Sequence, residues 1–226
     1  MAAKSKKAAA WGAPAKGEPR WPATIAVVIA LLLYMTLPER LTLGPLWLIP
    51  GLELALIIPL MIVAPRRYAG EPNWERLAAI AIIAIINAAN FLSLVLLLKF
   101  LVMRGSRATG EQLLLGAVQI WVTNVIVFAL WYWELDRGGP DERSSDVHRQ
   151  PDFLFPQMVT PGCTVPAWSP SFFDYVYVSF TNATAFSPTD TMPLTPWAKA
   201  LMAVQAFASL VTVALVAARA VNILGS

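Results

Sequence analysis

The chain has 226 residues, of which 57% are hydrophobic and only 14% charged, and its formal net charge is +3. Soluble domains carry about 25% charged residues, so this composition excludes an ordinary soluble protein and predicts a multi-pass protein of the cell membrane. The single cysteine, Cys163, excludes an internal disulfide, and together with the single histidine, His148, it leaves no metal-ligand cluster of the usual spacing.

The N-terminal segment, residues 1–20, is rich in Ala, Pro and Gly and contains five Lys or Arg and one Glu. It predicts a disordered basic arm that acts as a positive anchor against membrane lipids. The apolar stretch that follows has no small-residue cleavage site after it, so we interpret it as a retained helix rather than a signal peptide. Because the basic residues cluster in a flexible tail, the sequence gives no support to nucleic-acid binding.

Five apolar segments approach or exceed the length of about 20 residues that a bilayer-crossing helix needs. They comprise residues 21–38, 45–64, 74–103, 112–133 and 196–224. Trp and Tyr stand at many of their ends, where amphipathic rings settle at the level of the lipid headgroups. The sequence therefore predicts an all-α multi-pass membrane protein with about five transmembrane helices, three of them in residues 21–103.

Residues 134–168 predict a loop outside the membrane. The first part is charged and punctuated by Gly and Pro, and the second is apolar but so rich in Pro that a regular helix is excluded there. We expect both parts on the wet face of the protein. Next, Ser169 as N-cap and Pro170 as first helical residue predict a helix of about a dozen residues. That length is typical of a re-entrant or interfacial segment.

The segment SFTNATAFSPTDTMP, residues 179–193, comes at the end of this short helix. It resembles the pore module of potassium-channel-like proteins, whose filter region reads SF-x-T-x-TTVGYGD-x-x-P. Ser179 and Phe180 match the SF, Thr184 matches the first Thr of the filter, Asp190 matches the Asp that closes it, and Pro193 matches the Pro beyond. The resemblance implies an outer helix (112–133), a loop (134–168), a re-entrant helix with an irregular filter-like strand (169–193) and an inner helix (196–224).

The departures from the family pattern fall within the filter. Ser187 and Thr189 replace two glycines and Pro188 replaces a Tyr, and residues with a Cβ resist the positive φ that the filter backbone needs. The sequence therefore predicts that no stacked-carbonyl potassium filter forms. Three alternatives remain, namely a wider filter of low selectivity, a closed plug in a non-conducting relative, and a chance match. The candidate pore residues are Thr184, Ala185, Phe186, Ser187, Pro188, Thr189 and Asp190.

Asp190 and a polar stripe on the last helix are the other features expected of a pore. In a four-fold assembly, Asp190 gives a ring of carboxylates that concentrates cations; alternatively it caps backbone N–H groups of its own turn. Gln205, Ser209 and Thr212 lie within one face of the helix. They either line a water-filled cavity or form hydrogen bonds with neighbouring helices. Arg219, near the helix end, is expected to extend to the headgroups.

Glu53 is an intramembrane carboxylate in the second apolar segment, and such a residue is by default a candidate functional site. It either pairs with a basic partner or water, or takes part in a proton relay. Two further sets of polar residues, Asn87, Asn90 and Ser93 in the third segment and Gln119, Thr123 and Asn124 in the fourth, are expected to form interhelical hydrogen bonds. An ion-paired, aromatic-anchored helix end is expected at Glu134, Asp136 and Arg137.

The sequence thus predicts a membrane protein with a channel-like pore module, either a low-selectivity ion channel or a non-conducting scaffold or auxiliary subunit. The expected partners are membrane lipids, further copies of the chain (a tetramer in the channel case) and, if it conducts, monovalent cations. No cofactor is implied, and no nucleophile–base pair or acidic dyad supports an enzyme. Orientation stays open, because the excess of positive charge places the pore loop inside while the channel resemblance places it outside.

Overall fold

The computed structural model of the chain describes residues 18–42, 45, 47–63, 73–102, 110–144, 150–160, 168–186 and 190–224. This part of the chain is mostly helical. The helices are α1 (Trp21–Met35), α2 (Leu48–Val63), α3 (Asn73–Val102), α4 (Gly110–Leu135), α5 (Pro140–Ser144), α6 (Pro156–Val159), α7 (Phe172–Ala185) and α8 (Pro196–Leu224). Two short strands, β1 (Phe153–Leu154) and β2 (Met192–Pro193), and two 3₁₀ turns, Glu39–Leu41 and Asp136–Gly138, complete the described elements.

Each of the five apolar segments is a helix in the structure, so the all-α prediction is confirmed. Three helical stretches within the described residues are long and apolar enough to cross a membrane, namely Trp74–Phe100, Glu111–Gly138 and Pro196–Ala218. α1 is apolar but has 15 residues, and α2 has 16. A helix rises about 1.5 Å per residue, so these two are shorter than the roughly 30 Å hydrocarbon core of a bilayer.

α4 is the centre of the bundle and packs against α1, α3, α7 and α8. Its apolar residues surround the whole helix rather than one stripe, which is typical of a helix buried on all sides. In its second half Phe128 and Tyr132 are almost fully buried. Tyr132 packs against Phe153 with ring centroids 4.9 Å apart, and Phe153 in turn packs edge-on against Tyr175. This aromatic core fixes β1 and α7 against α4.

α7 and α8 both begin at the end of the bundle where α4 finishes. The hydroxyl of Tyr175, in the first turn of α7, donates to Asp136, and the indole N–H of Trp197, in the first turn of α8, donates to Asp152. Further along, Asn182 of α7 donates to the main-chain oxygen of Met202 of α8 at 2.9 Å, so the two helices run side by side in the same direction. The segment between them therefore returns to the starting end, where β2 pairs antiparallel with β1.

The start of α7 differs by two residues from the expected one. Ser171, not Ser169, is the N-cap, because the main-chain N–H and the hydroxyl of Ser171 both donate to Asp174, at 2.7 and 2.8 Å. Asp174 and Ser171 thus form a capping box. The position three residues after the N-cap is the one from which an acidic side chain reaches back to it.

The Pro-rich stretch before α7 was expected on the wet face, and that prediction is wrong for its first residues. Phe153 and Phe155 are buried in the main hydrophobic core. Phe155 packs edge-on against Tyr175, with ring centroids 5.5 Å apart. Pro prevents a long helix but not burial, because β1 and the single-turn helix α6 satisfy enough of the backbone to bring these rings inside.

The capping box predicts a stability effect of its own. Replacing Asp174→Ala removes the acceptor for both Ser171 donors and should lower the free energy of unfolding by about 1 kcal/mol. Chemical unfolding in detergent micelles, followed by tryptophan fluorescence, measures the change. Ser169→Ala is the matched control and should stay within about 0.5 kcal/mol of the parent protein. A larger loss for Ser169→Ala than for Asp174→Ala would contradict the observed cap.

Candidate functional site

The candidate pore residues lie at the end of α7 and just beyond it. Thr184 and Ala185 form the last turn of α7, although they were expected in the irregular filter-like strand. The hydroxyl of Thr184 donates to the main-chain oxygens of Phe180 and Thr181 at 2.9 and 3.1 Å, so it is engaged within the helix. Phe186 ends the helix in a left-handed conformation with φ of 56°.

The middle of the filter-like segment, Ser187, Pro188 and Thr189, lies outside the described residues. On its far side Asp190 is exposed, as are Thr184, Ala185 and Phe186 on the near side. The structure therefore places the two flanks of this segment at the surface of the single chain.

The polar stripe on α8 faces the inside of the bundle. Gln205 and Ser209 are fully buried and Thr212 is 2% exposed. The amide of Asn124 in α4 donates to the Ser209 hydroxyl at 2.9 Å, while the Thr212 hydroxyl donates back to Ala208 within its own helix. The alternatives for this stripe were a water-filled cavity and hydrogen bonds with neighbouring helices. The structure shows the hydrogen bonds, between helices for Ser209 and within α8 for Thr212.

Gln205 joins three helices. Its side-chain oxygen accepts from the Tyr132 hydroxyl of α4 at 2.6 Å and from the Asn182 amide of α7 at 2.8 Å. Its amide group donates to the main-chain oxygen and the hydroxyl of Ser179 in α7, at 3.0 and 2.6 Å. The Ser179 hydroxyl in turn donates to Val125 of α4. We call Tyr132, Ser179, Asn182 and Gln205 the Gln205 network; it holds α7 between α4 and α8.

The opposite face of α8 is exposed and apolar. Val204, Phe207, Leu210 and Val213 lie on it, and Phe207 is 69% exposed. In a membrane, this face suits lipid tails or the apolar surface of another protein. A helix that lines an aqueous cavity shows the reverse arrangement, with polar groups on the face that neighbours leave uncovered.

A buried ionic cluster closes the end of the bundle at which α7 and α8 begin. The guanidinium of Arg143 in α5 donates to both carboxylate oxygens of Glu18 at 2.9 and 3.1 Å, and to the main-chain oxygens of Trp133 and Asp136 at 2.7 and 2.9 Å. It also stacks over the ring of Tyr175, with 5.3 Å between the guanidinium carbon and the ring centre. Burial lowers the pKa of Arg143, but Tyr175, Glu18 and Asp136 together raise it above its ordinary value, so the side chain stays charged.

Asp136 is the acceptor at the centre of this cluster. It is fully buried and accepts from the Tyr175 hydroxyl at 2.6 Å and from the main-chain N–H groups of Asp152 and Phe153 at 2.8 and 3.3 Å. The carboxylate of Asp152 accepts from the main-chain N–H of Arg137 at 2.7 Å. The loop before α7 is therefore fastened to the end of α4 by hydrogen bonds between carboxylates and backbone.

A tight turn after α4 makes the cluster possible. Arg137 has φ of 54°, and Gly138 and Gly139 have φ of 86° and 98°. A Cβ on Gly139 would lie 2.7 Å from the main-chain oxygen of Glu134, so only glycine fits. The turn reverses the chain and brings Arg143 back beneath the last turn of α4.

The sequence predicted an ion-paired end at Glu134, Asp136 and Arg137, and the structure confirms ion pairs of Asp136 with Arg137 and of Glu134 with Arg76, at 3.4 and 3.9 Å. It missed two other contributors. Glu18 was assigned to the disordered arm, and Arg143 to an exposed loop. Both assignments are wrong for these residues, since Glu18 is 8% exposed and Arg143 4%. The nearby WYW run was the available signal, because Trp133 donates its indole N–H to Glu18.

Glu53 has a different environment from either network. It is buried, and its carboxylate oxygen Oε2 has no hydrogen-bond partner among the residues that the structure describes. Asn90 of α3 and Thr123 of α4 line the same small cavity as Glu53. The expected pairing with a basic side chain is thus not seen in the described part of the chain. Gln119 forms an interhelical hydrogen bond as expected, donating to Thr36 at 2.8 Å.

The Gln205 network and the ionic cluster hold the helices together, and the charged groups of the cluster compensate one another. No group of three or more His, Cys, Asp and Glu side chains is arranged to hold a metal ion within the described ranges. Comparisons with models of known protein families, with curated proteins and with solved structures find no match for the chain.

Proposed function

We propose that the chain is a multi-pass membrane protein that keeps the outer helix, re-entrant helix and inner helix of a channel pore module but does not conduct ions. In this proposal it serves as a membrane scaffold or auxiliary subunit. The observation that carries it is the direction of the α8 stripe, because Gln205, Ser209 and Thr212 are consumed by contacts inside the chain. Apart from Lys199 in its first turn, the exposed residues of α8 whose side chains the structure describes are apolar.

The path of α7 supports the re-entrant part of the proposal. The helix has 14 residues, hence a length of about 21 Å, which is less than the thickness of the hydrocarbon core. It starts at the same end as α8, and β2 lies back at that end beside β1. α4 and α8 pack against α7 on two sides, so the short helix itself is held by protein.

The five-pass topology rests on α1 to α4 and α8. α1 and α2 are short for spanning helices, but a bilayer adapts to a short helix by thinning or through anchoring residues at its ends. Trp21 at the start of α1 and Trp47 just before α2 are exposed and stand where such anchors are found. The exposed apolar face of α8 is then available to lipids or to another membrane protein, including a further copy of the chain.

A low-selectivity channel is the second candidate. It is favoured by the exposure of Thr184, Phe186 and Asp190 at the flanks of the filter-like segment. In an oligomer built around that segment, these residues would face the symmetry axis. The inner part of such a pore would be lined by the apolar face of α8, which opposes water and ions.

Ion flux distinguishes the two candidates. The purified protein reconstituted in liposomes should give no flux of potassium or sodium above protein-free liposomes, and Asp190→Ala should behave identically, because the polar stripe Gln205, Ser209 and Thr212 is buried inside the bundle. A fluorescent flux assay across a range of voltages and salts measures this. Cation flux through the unmodified protein that Asp190→Ala reduces would overturn the non-conducting proposal and establish the channel.

A further inference from the structure

A small cavity lies between α1, α2, α3 and α4, and Glu53 stands on its wall. The cavity offers about 10 Å³ to the centre of a water-sized sphere, which is room for about one water molecule or one small ion. Of the described residues that line it, four are polar, namely Tyr34, Glu53, Asn90 and Thr123, one from each helix, and the others are apolar. Oxygen-bearing side chains from four separate helices thus converge on a space of ionic size.

Glu53 brings an uncompensated carboxylate into this cavity. Its residue exposure is 1%, and its Oε2 atom lacks a hydrogen-bond partner within the described residues. Among the side chains that the structure describes, no Lys, Arg or His lines the cavity, and Tyr34 of α1 is the one other titratable group there. The charged residues of α3 and α4, such as Glu75, Lys99 and Glu134, do not line the cavity.

A bare carboxylate in such surroundings is costly, and the cost falls only when a positive charge neutralises it. Carboxylate, amide and hydroxyl oxygens are the donors that hard cations prefer. We propose that this cavity binds one small monovalent cation, whose single positive charge neutralises Glu53. The cation is either a proton on the carboxyl group or a sodium-sized ion that the oxygens of Glu53, Asn90 and Thr123 hold. The proposal stands whether or not the protein has a pore.

A hydrophobic carbodiimide tests the proposal on the intact protein in detergent or liposomes. This reagent modifies protonated carboxyl groups that lie in apolar surroundings, and mass spectrometry locates the modified residue. Labelling is followed at several pH values in choline chloride and again with sodium, lithium or potassium chloride. Glu134, which is ion-paired with Arg76, is the internal control and should stay unmodified.

Labelling of Glu53 that sodium or lithium slows relative to choline identifies a metal cation; at ten times its Kd the slowing is about tenfold, because only the empty site reacts. Labelling that ignores all three salts but falls as the pH rises identifies the proton as the bound cation. Either result supports the site. Failure of Glu53 to react at any pH, or a rate indifferent to both pH and salt, would overturn it.

The variant Glu53→Gln adds a second readout. It keeps the shape of the side chain without the charge, so it should fold at least as stably as the parent protein and should lose any dependence of its unfolding temperature on sodium, lithium or potassium. If Glu53→Gln instead lowered the unfolding temperature by many degrees in every salt, the anion itself would be the structural element and the cation site would be disproved.

Discussion

The substitution Arg143→Met is expected to lower the free energy of unfolding by about 3–5 kcal/mol, a larger loss than for any other substitution predicted here for the chain's stability. Arg143 holds Glu18 through two hydrogen bonds and donates to two main-chain oxygens at the end of α4. Met fills a similar volume, but it leaves the buried Glu18 carboxylate without its counter-charge and removes one donor from each of the main-chain oxygens of Trp133 and Asp136. The effect therefore comes from orphaned partners, not from a cavity.

Unfolding in detergent micelles, followed by tryptophan fluorescence, gives this quantity. Lys199→Met is the matched control, because Lys199 is exposed on α8 and its loss should change the free energy by at most about 0.5 kcal/mol. Arg143→Lys keeps the charge but not the paired geometry, so an intermediate loss is expected. If the Arg143→Met protein did not accumulate, the free energy of unfolding of Arg143→Lys would test the prediction. Equal stability of both Arg143 variants and the parent would show that the cluster is not formed as described.

The second large effect is expected for Gln205→Leu, with a loss of about 2–3 kcal/mol. The change removes the acceptor of the Tyr132 hydroxyl and the Asn182 amide and the donor to Ser179. Interhelical hydrogen bonds in membranes average about 0.6 kcal/mol each, and a buried donor left without an acceptor adds about 1 kcal/mol or more. α7 should be the element that loosens, since the Gln205 network is what fastens its middle.

Phe207→Leu, on the exposed face of the same helix, is the control and should stay within about 0.5 kcal/mol. A double-mutant cycle with Tyr132→Phe isolates the contact, and the coupling energy should be about 0.5 kcal/mol or more because the two side chains bond directly. The channel alternative predicts the opposite pattern. If Gln205 lined water, Gln205→Leu would leave stability unchanged and alter only ion flux.

These two sites fix α7 at two points along its length. The ionic cluster fixes its first turn through Tyr175, and the Gln205 network fixes its middle through Ser179 and Asn182. Both sets of bonds lie within a single chain, so α4, α7 and α8 are held together without any contact from a second copy. The polar stripe of α8 is therefore already covered within the single chain.

Much of the secondary structure follows from the sequence alone, because a long apolar run has one stable form in a bilayer. All five apolar segments are helical, and α8 begins and ends at the predicted residues. Local chemistry also predicts a capped short helix before the filter-like segment, although the sequence favoured Ser169 and the structure uses Ser171. Two Ser residues so close together offer similar caps, and only the reach of Asp174 decides between them.

The direction of the polar groups was decided by tertiary structure. Helical periodicity shows that Gln205, Ser209 and Thr212 share a face, but it does not show whether that face meets water or another helix. Likewise, Glu18 and Arg143 are 125 positions apart in the chain, and each alone has the composition of an exposed loop. Their burial is favourable only when each compensates the charge of the other, and that depends on the turn at Gly138 and Gly139 bringing them together.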